Sequence, residues 1–375
     1  MDIYHSFLSL SVSFFVTILI IPWLIANMKK KGFIGRDMNK VENIEIPEMG
    51  GIAVVIGFMA GVYSLLFLDH IYNTDNHFSD FFLASLITLI GIAFTGLLDD
   101  LLDMRQRTKA VLPFIFSLPL GIYASEVMYF PFLGEYDFGS FMLFIVPFGV
   151  TCAANSMNML EGFNGLGTSL GIIITITMIT LSLMNKVYDG LDLLFPLLGG
   201  LLAFLIFNRY PSKIFPGDTL TLFLGATIGC ASIMNDLRFE GIILLSPMIA
   251  EFFLKSKGNF QAQCFAEEII DGNLVYRGRI ESLTHLVMKN TQSNEKHLVL
   301  IFVFFEILLG TMLLFPVTRY IAAWGLILLL IAVFPANIYL AMTNGAALNT
   351  TPLIAWGRLP FQFVFIAIAY WHSTL

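Results

Sequence analysis

The fold is decided by the stretch "SDFFLASLITLIGIAFTGLLDDLLDMRQRTK", residues 79–109, in which a long apolar run ends in a group of charges. The run is about as long as a membrane-spanning helix, which needs about 20 mainly apolar residues. Three aspartates and three basic residues follow at its end: Asp99, Asp100, Asp103, Arg105, Arg107 and Lys109. Charges at a membrane edge are costly without partners, so this stretch predicts a polar site where a spanning helix ends.

The whole chain has the composition of a membrane protein. Its 375 residues are 57% hydrophobic and 13% charged, with a mean hydropathy of +0.81, whereas soluble domains are about 45–50% apolar and about 25% charged. We therefore predict an all-α polytopic membrane protein whose first apolar run is a retained span, because it lacks the features of a signal peptide. The predicted spans are residues 6–28, 50–68, 81–98, 110–126, 140–157, 167–184, 190–207, 219–235, 240–254, 297–316, 321–342 and 352–371.

The region after the eighth span departs from this simple pattern. The ninth run is short and contains Pro247 and Glu251, so we expect its helix to be broken or to continue past the bilayer. The loop at residues 256–296 contains Asp271-Gly272 between β-prone segments, which predicts a small hairpin. The segment "SLTHLVMK" that follows has the apolar spacing of a short interfacial helix.

The distribution of basic residues predicts the orientation. Alternate loops hold sixteen lysines and arginines, whereas the loops between them hold three: Lys186, Arg238 and Arg319. Because lysine and arginine are retained on the cytoplasmic side, the N-terminus is predicted to lie outside. The same rule places Asp99, Asp218 and the other unusual polar residues together on the cytoplasmic face of the cell membrane, or of the endoplasmic reticulum membrane in a eukaryote.

Two polar stretches on this face contain oxygen ligands. In the first, residues 99–109, carboxylates can hold a hard cation and the basic residues can hold phosphate; the alternative is a solvated loop of ion pairs. In the second, "NSMNMLEGFNGLG" at residues 155–167, Asn155 and Asn158 share a helix face and three glycines allow close approach of a ligand. The alternative here is a capped helix end followed by a glycine turn.

Two further stretches lie on the same predicted face. In "NRYPSKIFPGDT", residues 208–219, Phe215 and its flanking prolines can form a wall for a flat ring, while Asp218 either serves the site or caps the following helix. In "IPEMGG", residues 46–51, Glu48 is a candidate, and the alternative is a simple entry from loop into helix. His285 lies on this face too, where an interfacial role competes with a substrate contact.

Several function classes find no support in the chain. There is no phosphate-binding loop of the Walker type and no Rossmann glycine fingerprint. The three cysteines show neither metal-binding nor disulfide spacing. Nothing points to nucleic acid, because the net charge is −7 and topology accounts for the basic residues.

Taken together, the four stretches resemble the polyprenyl-phosphate N-acetylhexosamine-1-phosphate transferase family, whose patterns match "IPEMGG", "DDLLDMRQRTK", "NSMNMLEGFNGLG" and "FNRYPSKIFPGD" in order. The resemblance covers roughly residues 1–316. It implies that a polyprenyl phosphate attacks the β-phosphorus of UDP-GlcNAc, giving polyprenyl-diphosphate-GlcNAc and UMP. It also implies a Mg²⁺ cofactor, with Mn²⁺ as the alternative ion.

The resemblance carries roles onto individual residues. Asn158 and Asp218 match magnesium ligands, and Lys109 matches a lysine that contacts phosphate beside Asp99 and Asp100. Asp99, Asp100, Lys109 and Asp218 are therefore the predicted catalytic group. The predicted substrate contacts are Glu48, Asp103, Arg105, Asn155, Gly162, Asn164, Phe215, Lys255, Lys257 and His285. Among these, Gly162, Asn164 and Phe215 match uracil contacts, and Asp103 stands near the sugar where relatives have asparagine.

Within the family, the chain is most similar to the branch that acts on UDP-GlcNAc and dolichyl phosphate. It lacks the histidine-rich loop of the bacterial pentapeptide enzymes. It also lacks the arginine–histidine–arginine run of the dolichyl branch and offers Lys255 and Lys257 instead. The resemblance implies a core of about ten spans, here residues 1–316. The C-terminal extension, residues 317–375, departs from the family pattern and is predicted to hold two more spans.

The expected partners are UDP-GlcNAc, a polyprenyl or dolichyl phosphate and the lipid bilayer, with a homodimer left open. The alternatives are another UDP-N-acetylhexosamine, UDP-MurNAc-pentapeptide or, in a different class, an ion-coupled transporter. A transporter predicts polar residues in both halves of the bilayer, whereas here they collect on one face. We expect Asp99 and Asp100 mainly to orient Lys109 and the metal, with a general-base role as the alternative.

Overall fold

The computed structural model describes residues 3–72, 79–130, 134–257, 262–291 and 293–315, together with isolated positions between 338 and 370. Helices dominate, which confirms the all-α class. They are α1 Ile3–Lys31, α2 Gly51–Tyr72, α3 Asp80–Leu102, α4 Gln106–Tyr123, α5 Met142–Met159, α6 Leu166–Asn185, α7 Leu191–Asn208, α8 Gly217–Met234, α9 Arg238–Leu244, α10 Ser246–Lys257, α11 Leu283–Asn290 and α12 Glu295–Leu314.

Within the described part of the chain, eight helices are long and apolar enough to cross a membrane: α1, α2, α3, α5, α6, α7, α8 and α12. Helix α4 has a suitable length but carries Arg107 and Lys109 in its first turn and contains two prolines. The ninth predicted run is broken at Leu245 into α9 and α10, as its proline and glutamate suggested. The predicted spans at residues 321–342 and 352–371 lie outside the described residues apart from isolated positions.

Helix α8 forms the centre of the bundle because small residues let other backbones approach it closely. A methyl group on Gly225 would lie 2.2 Å from the carbonyl oxygen of Ala153 in α5. On the neighbouring helices, a methyl group on Gly51 would lie 2.4 Å from the backbone nitrogen of Leu220, and one on Gly96 would lie 2.5 Å from the carbonyl oxygen of Asp218. Helices α2, α3 and α5 therefore contact the α8 backbone directly. This packing determines which residues lie beside the first turn of α8.

Short antiparallel pairs of strands occupy the loops. Strands β5 Glu268–Ile270 and β6 Asn273–Val275 form the hairpin predicted around Asp271-Gly272. Strands β1 Ile34–Arg36 and β2 Glu45–Pro47 pair within the first loop, where no strand was predicted. A further pair joins α4 to α5: β3 Val127–Phe130 and β4 Gly134–Asp137.

Helix α11 confirms the short helix predicted from "SLTHLVMK". Ser282 caps it by accepting a hydrogen bond from the Thr284 backbone N–H at 3.2 Å. Leu283 and Val287 pack against the core, whereas Leu286 is exposed.

Candidate active site

Four helix ends converge at one end of the bundle. An ion-pair cluster centred on Lys109 lies between them. The Lys109 ammonium, from the first turn of α4, lies 2.8 Å from Oδ2 of Asp99 near the end of α3. It also pairs with the carboxylate of Asp218 in the first turn of α8. Lys109 is buried. Two carboxylates thus share one cation in a place with little water, where charges act strongly on one another.

The backbone at the end of α3 sets the position of Asp99. Asp103 adopts a left-handed conformation, φ 49°, and its N–H bonds to the Asp99 carbonyl oxygen at 2.9 Å, which ends the helix. The Met104 N–H then donates to Oδ1 of Asp99 at 2.9 Å. One carboxylate oxygen is therefore held by the turn, and the other faces Lys109.

Asp100 has a different task from Asp99. Its carboxylate accepts hydrogen bonds from the backbone N–H of Asp218 at 2.7 Å and from that of Thr219 at 3.0 Å, and a third from the Thr219 hydroxyl at 2.6 Å. These backbone groups have no partner within α8, because they lie in its first turn. The cap of α8 thus comes from Asp100 in another helix and not from Asp218, which leaves the Asp218 carboxylate facing Lys109.

Asn158 joins this group through α8. The Thr221 hydroxyl, one turn after Asp218, donates to Oδ1 of Asn158 at 3.0 Å. Asn155, predicted on the same helix face, donates its amide to the carbonyl oxygen of Thr151 in its own helix at 2.9 Å. Of the two asparagines, Asn158 is the one that the structure links to the helix bearing Asp218.

The loop that carries Phe215 packs on the segment that carries Glu48. The Phe215 N–H donates to the Pro47 carbonyl at 2.8 Å, and the Gly50 N–H donates to the Phe215 carbonyl at 2.9 Å. Burial, followed by the negative charge of Asp100, raises the pKa of Glu48. Glu48 therefore lies within the electrostatic reach of Asp100.

The turn between α5 and α6 carries Gly162 and Asn164. Gly162 has a φ of +153°, which favours glycine, and its carbonyl accepts a hydrogen bond from Nδ2 of Asn39 at 3.0 Å. Asn164 is buried; its N–H donates to Oε1 of Glu295 at 2.8 Å and its amide to Oδ2 of Asp37 at 3.0 Å. Sequence reasoning missed Asp37, Asn39 and Glu295; for the first two the signal was the polar run "DMNK" in the same loop as "IPEMGG".

Glu161, in the same turn, was also not among the predicted residues. Burial, followed by the negative charge of Asp218, raises the pKa of its carboxyl to about 8. Its Oε2 atom has no hydrogen-bond partner among the described residues. Glu161 is therefore a further acidic group, in addition to Asp100, within electrostatic reach of Asp218.

Other predicted residues lie apart from the cluster. Asp103 and Arg105 are exposed on the α3–α4 turn. Lys255 donates to the Met159 carbonyl oxygen at the end of α5 and lies 3.5 Å from the buried carboxylate of Glu251. Lys257 ends α10, and its side chain lies outside the described part of the chain.

His285 is buried in the loop region that contains the β5–β6 hairpin. Its Nε2 lies 2.8 Å from the Gln263 carbonyl oxygen, its Nδ1 accepts from the Glu281 N–H at 3.4 Å, and its ring stacks on Tyr276 with the centroids 3.6 Å apart. Burial lowers its pKa. The structure thus shows His285 joining three parts of this loop.

Fold and site together define a multi-pass integral membrane protein with a buried carboxylate–lysine centre at one end of its helix bundle. The chain belongs to glycosyl transferase family 4, whose model matches residues 82–236 and so includes Asp99, Lys109, Asn158 and Asp218. It is an enzyme of that family. Residues 279–373 match a second model, a domain of unknown function called DUF8561.

Curated relatives cover most of the chain. A protein of Saccharolobus solfataricus is 39% identical over 299 residues, which are 78% of this chain and 91% of that protein; its name is putative UDP-N-acetylglucosamine–dolichyl-phosphate N-acetylglucosaminephosphotransferase. The Schizosaccharomyces pombe protein of that activity is 28% identical over 64% of each chain. The phospho-N-acetylmuramoyl-pentapeptide-transferase of Borrelia garinii is 31% identical over 64% of this chain and 76% of its own.

Proposed function

We propose that this enzyme transfers GlcNAc-1-phosphate from UDP-GlcNAc to a polyprenyl phosphate of the dolichyl type, giving polyprenyl-diphosphate-GlcNAc and UMP. The observation that carries the proposal is the buried Lys109 ammonium between Asp99 and Asp218 at the converging helix ends. The names of the Saccharolobus and Schizosaccharomyces relatives support the sugar and the lipid. The distribution of lysine and arginine supports placing the site on the cytoplasmic face.

The reaction needs little help from a general base and depends mainly on electrostatic stabilisation. A phosphate monoester has a second pKa of about 6, so the lipid nucleophile is largely a dianion at neutral pH. One of its oxygens forms a bond to the β-phosphorus, and the bond from that phosphorus to the oxygen of the α-phosphate breaks as UMP leaves. The obstacle is repulsion between the dianion and the charged diphosphate. The Lys109 ammonium offsets this repulsion and stabilises charge on the leaving group.

The residues present fit a magnesium ion. Magnesium in phosphoryl-transfer sites is usually held by one or two carboxylates together with substrate phosphates. Asp218 supplies a carboxylate and Asn158 an amide oxygen, and Thr221 links the two through hydrogen bonds to Oδ1 of Asn158 and the Asp218 backbone carbonyl. When bound, the ion supplies positive charge to the transferring phosphate groups. Asp99 and Asp100 orient Lys109 and the first turn of α8.

The nucleotide is proposed to bind between the Phe215 loop and the turn of Gly162 and Asn164. Phe215 is half-buried, so its ring can cover a flat base. Gly162 carries no side chain, and a methyl group there would lie 3.2 Å from the Phe265 ring, so the turn packs closely on Phe265. Lys255 and Lys257 are proposed to contact the sugar and diphosphate in place of the arginine–histidine–arginine run of the dolichyl branch.

The proposal is tested by measuring UMP release from UDP-GlcNAc by the purified protein with polyprenyl phosphate and Mg²⁺. Parallel reactions contain UDP-GalNAc or UDP-MurNAc-pentapeptide, since the Borrelia relative carries the pentapeptide name. UMP release only with UDP-GlcNAc supports the proposed substrate, and release only with another donor corrects it. Absence of UMP with every donor would refute the proposed reaction.

A further inference from the structure

A second buried polar cluster lies outside the lysine–carboxylate centre. It joins the first loop, the α5–α6 turn and the start of α12 through Asp37, Asn39, Lys40, Asn164 and Glu295. Asp37, Asn39, Asn164 and Glu295 are each at most 4% exposed. Burial of so many polar groups is unfavourable unless each has a hydrogen-bond or ion-pair partner. The contacts among these residues supply such partners and indicate that the cluster has a role in the protein.

Lys40 lies at the centre of this cluster. Its ammonium pairs with the Glu295 carboxylate, lies 3.4 Å from Oδ2 of Asp37, and stands 4.3 Å from the centre of the Tyr210 ring. Tyr210 belongs to the segment that leads to Phe215. One cation therefore connects the first loop, α12 and the α7–α8 loop, with two acidic groups around it.

The cluster holds the α5–α6 turn on both sides. Oε1 of Glu295 accepts the Asn164 backbone N–H, Oδ2 of Asp37 accepts the Asn164 side-chain amide, and Asn39 donates to the Gly162 carbonyl. Gly162 itself has no side chain, and its φ of +153° is one that glycine adopts readily. The turn begins directly after α5, whose last two residues are Asn158 and Met159.

We infer that the Lys40–Glu295 ion pair positions the α5–α6 turn against the Tyr210–Phe215 loop and so determines how tightly the enzyme holds the nucleotide. Both residues act through the turn and are positioning residues. The inference rests on the proposed function and deepens it, because it names the contacts that set the distance between the two walls of the nucleotide site. It also gives the region of the second matched model, residues 279–373, a contact with the site through Glu295.

The charges in the cluster predict unequal effects of substitution. Lys40→Met leaves Asp37 and Glu295 as two buried carboxylates without their cation, which is strongly unfavourable. Glu295→Gln keeps an oxygen for the Asn164 N–H, and Lys40 keeps Asp37 as a partner. In the double variant, one uncompensated carboxylate remains instead of two, so it should recover part of the loss caused by Lys40→Met.

The test compares these three variants and Lys40→Arg with the full-length enzyme in two assays, UMP release and calorimetric binding of UDP. We expect Lys40→Met to raise the KM for UDP-GlcNAc and the Kd for UDP about tenfold, Glu295→Gln about threefold, and the double variant less than Lys40→Met. The KM for polyprenyl phosphate should stay within about twofold, and Lys40→Arg should restore UDP binding. The matched control is the exposed pair Arg277–Glu268, 3.3 Å apart, where Arg277→Met and Glu268→Gln should change neither constant.

Three results would overturn the inference: an unchanged UDP affinity in Lys40→Met, an equal rise in the KM for both substrates, or a double variant no better than Lys40→Met. Failure of the proposed function looks different, because the unsubstituted enzyme would then release no UMP from any UDP-sugar. UDP binding would still decide the inference in that case. If Lys40→Met does not fold, Glu295→Gln and the double variant are compared in its place.

Discussion

Lys109 and Asp218 form an ion pair although 109 positions of sequence separate them. The pair exists because Asp100 caps the first turn of α8 and Gly96 lets α3 approach the Asp218 backbone, which brings α8 beside the α3–α4 turn. Asp99 completes the group from the end of α3. Charge neutralisation in this enzyme thus depends on the packing of helix ends.

Loss of the Lys109 charge should reduce turnover strongly. Lys109→Met is expected to lower kcat for UMP release by about 10²–10³-fold, because one preorganised charge at a phosphoryl-transfer site has about that effect. The matched control is Arg107→Met, two positions earlier and exposed, which should leave kcat within about twofold. Retention of more than a tenth of the turnover by Lys109→Met would contradict the assigned role.

The two aspartates should respond differently to removal of their charge. Asp100→Asn places an amide where the Thr219 N–H and hydroxyl now find an acceptor, which should destabilise the fold by about 1–3 kcal/mol and lower the apparent melting temperature. Asp99→Asn should mainly lower kcat. Turnover measured against pH is the further test, and we expect both variants to keep the acidic limb of the profile. Its loss in one variant would identify that aspartate as a general base.

The local parts of the site were predictable from the sequence, and the long-range parts were not. Asp99, Lys109, Asn158 and Asp218 stand in short polar runs at the ends of apolar segments, so the lengths of the spans place them at one end of the bundle. The Lys40–Glu295 contact joins residues 255 positions apart and leaves no local pattern. The strands of the first loop are three residues each, too short for alternation to indicate them.

Separation of α5 from α8 should impair both stability and activity. Gly225→Ala would place a methyl group 2.2 Å from the Ala153 carbonyl oxygen, so the helices must move apart, which costs about 1–3 kcal/mol. Because Asn158 lies on α5 and Asp218 on α8, turnover should fall with the melting temperature. Gly149→Ala on α5 meets no described atom within 4 Å and is the control. Equal melting temperatures for the two variants would refute this packing.

Asn158 and Thr221 should affect the metal requirement. If Asn158 supplies an oxygen to Mg²⁺, Asn158→Ala should raise the Mg²⁺ concentration for half-maximal UMP release by about 10–100-fold. Thr221→Val removes the hydroxyl that orients Asn158 and should cause a smaller rise in the same constant. Thr227→Val, six positions further along α8, is the control, since its hydroxyl donates to the Phe223 carbonyl of its own helix. An unchanged Mg²⁺ requirement in Asn158→Ala would remove this residue from the metal site.

His285 should make the stability of the hairpin region depend on pH. Burial lowers its pKa below the ordinary 6.5, so below that pH the unfolded chain binds a proton that the folded chain does not. The contribution of the neutral ring to stability is therefore present above pH 6.5 and decreases as pH falls towards the folded pKa. We expect the apparent melting temperature to fall as the pH is lowered from 7.5 to about 5.5. His285→Gln should be less stable at pH 7.5, but its melting temperature should change less across this range.

The exposed His297 provides the control, His297→Gln, whose melting temperature should depend on pH as that of the unsubstituted enzyme does. A slope in His285→Gln as steep as in the unsubstituted enzyme would show that another group causes the dependence.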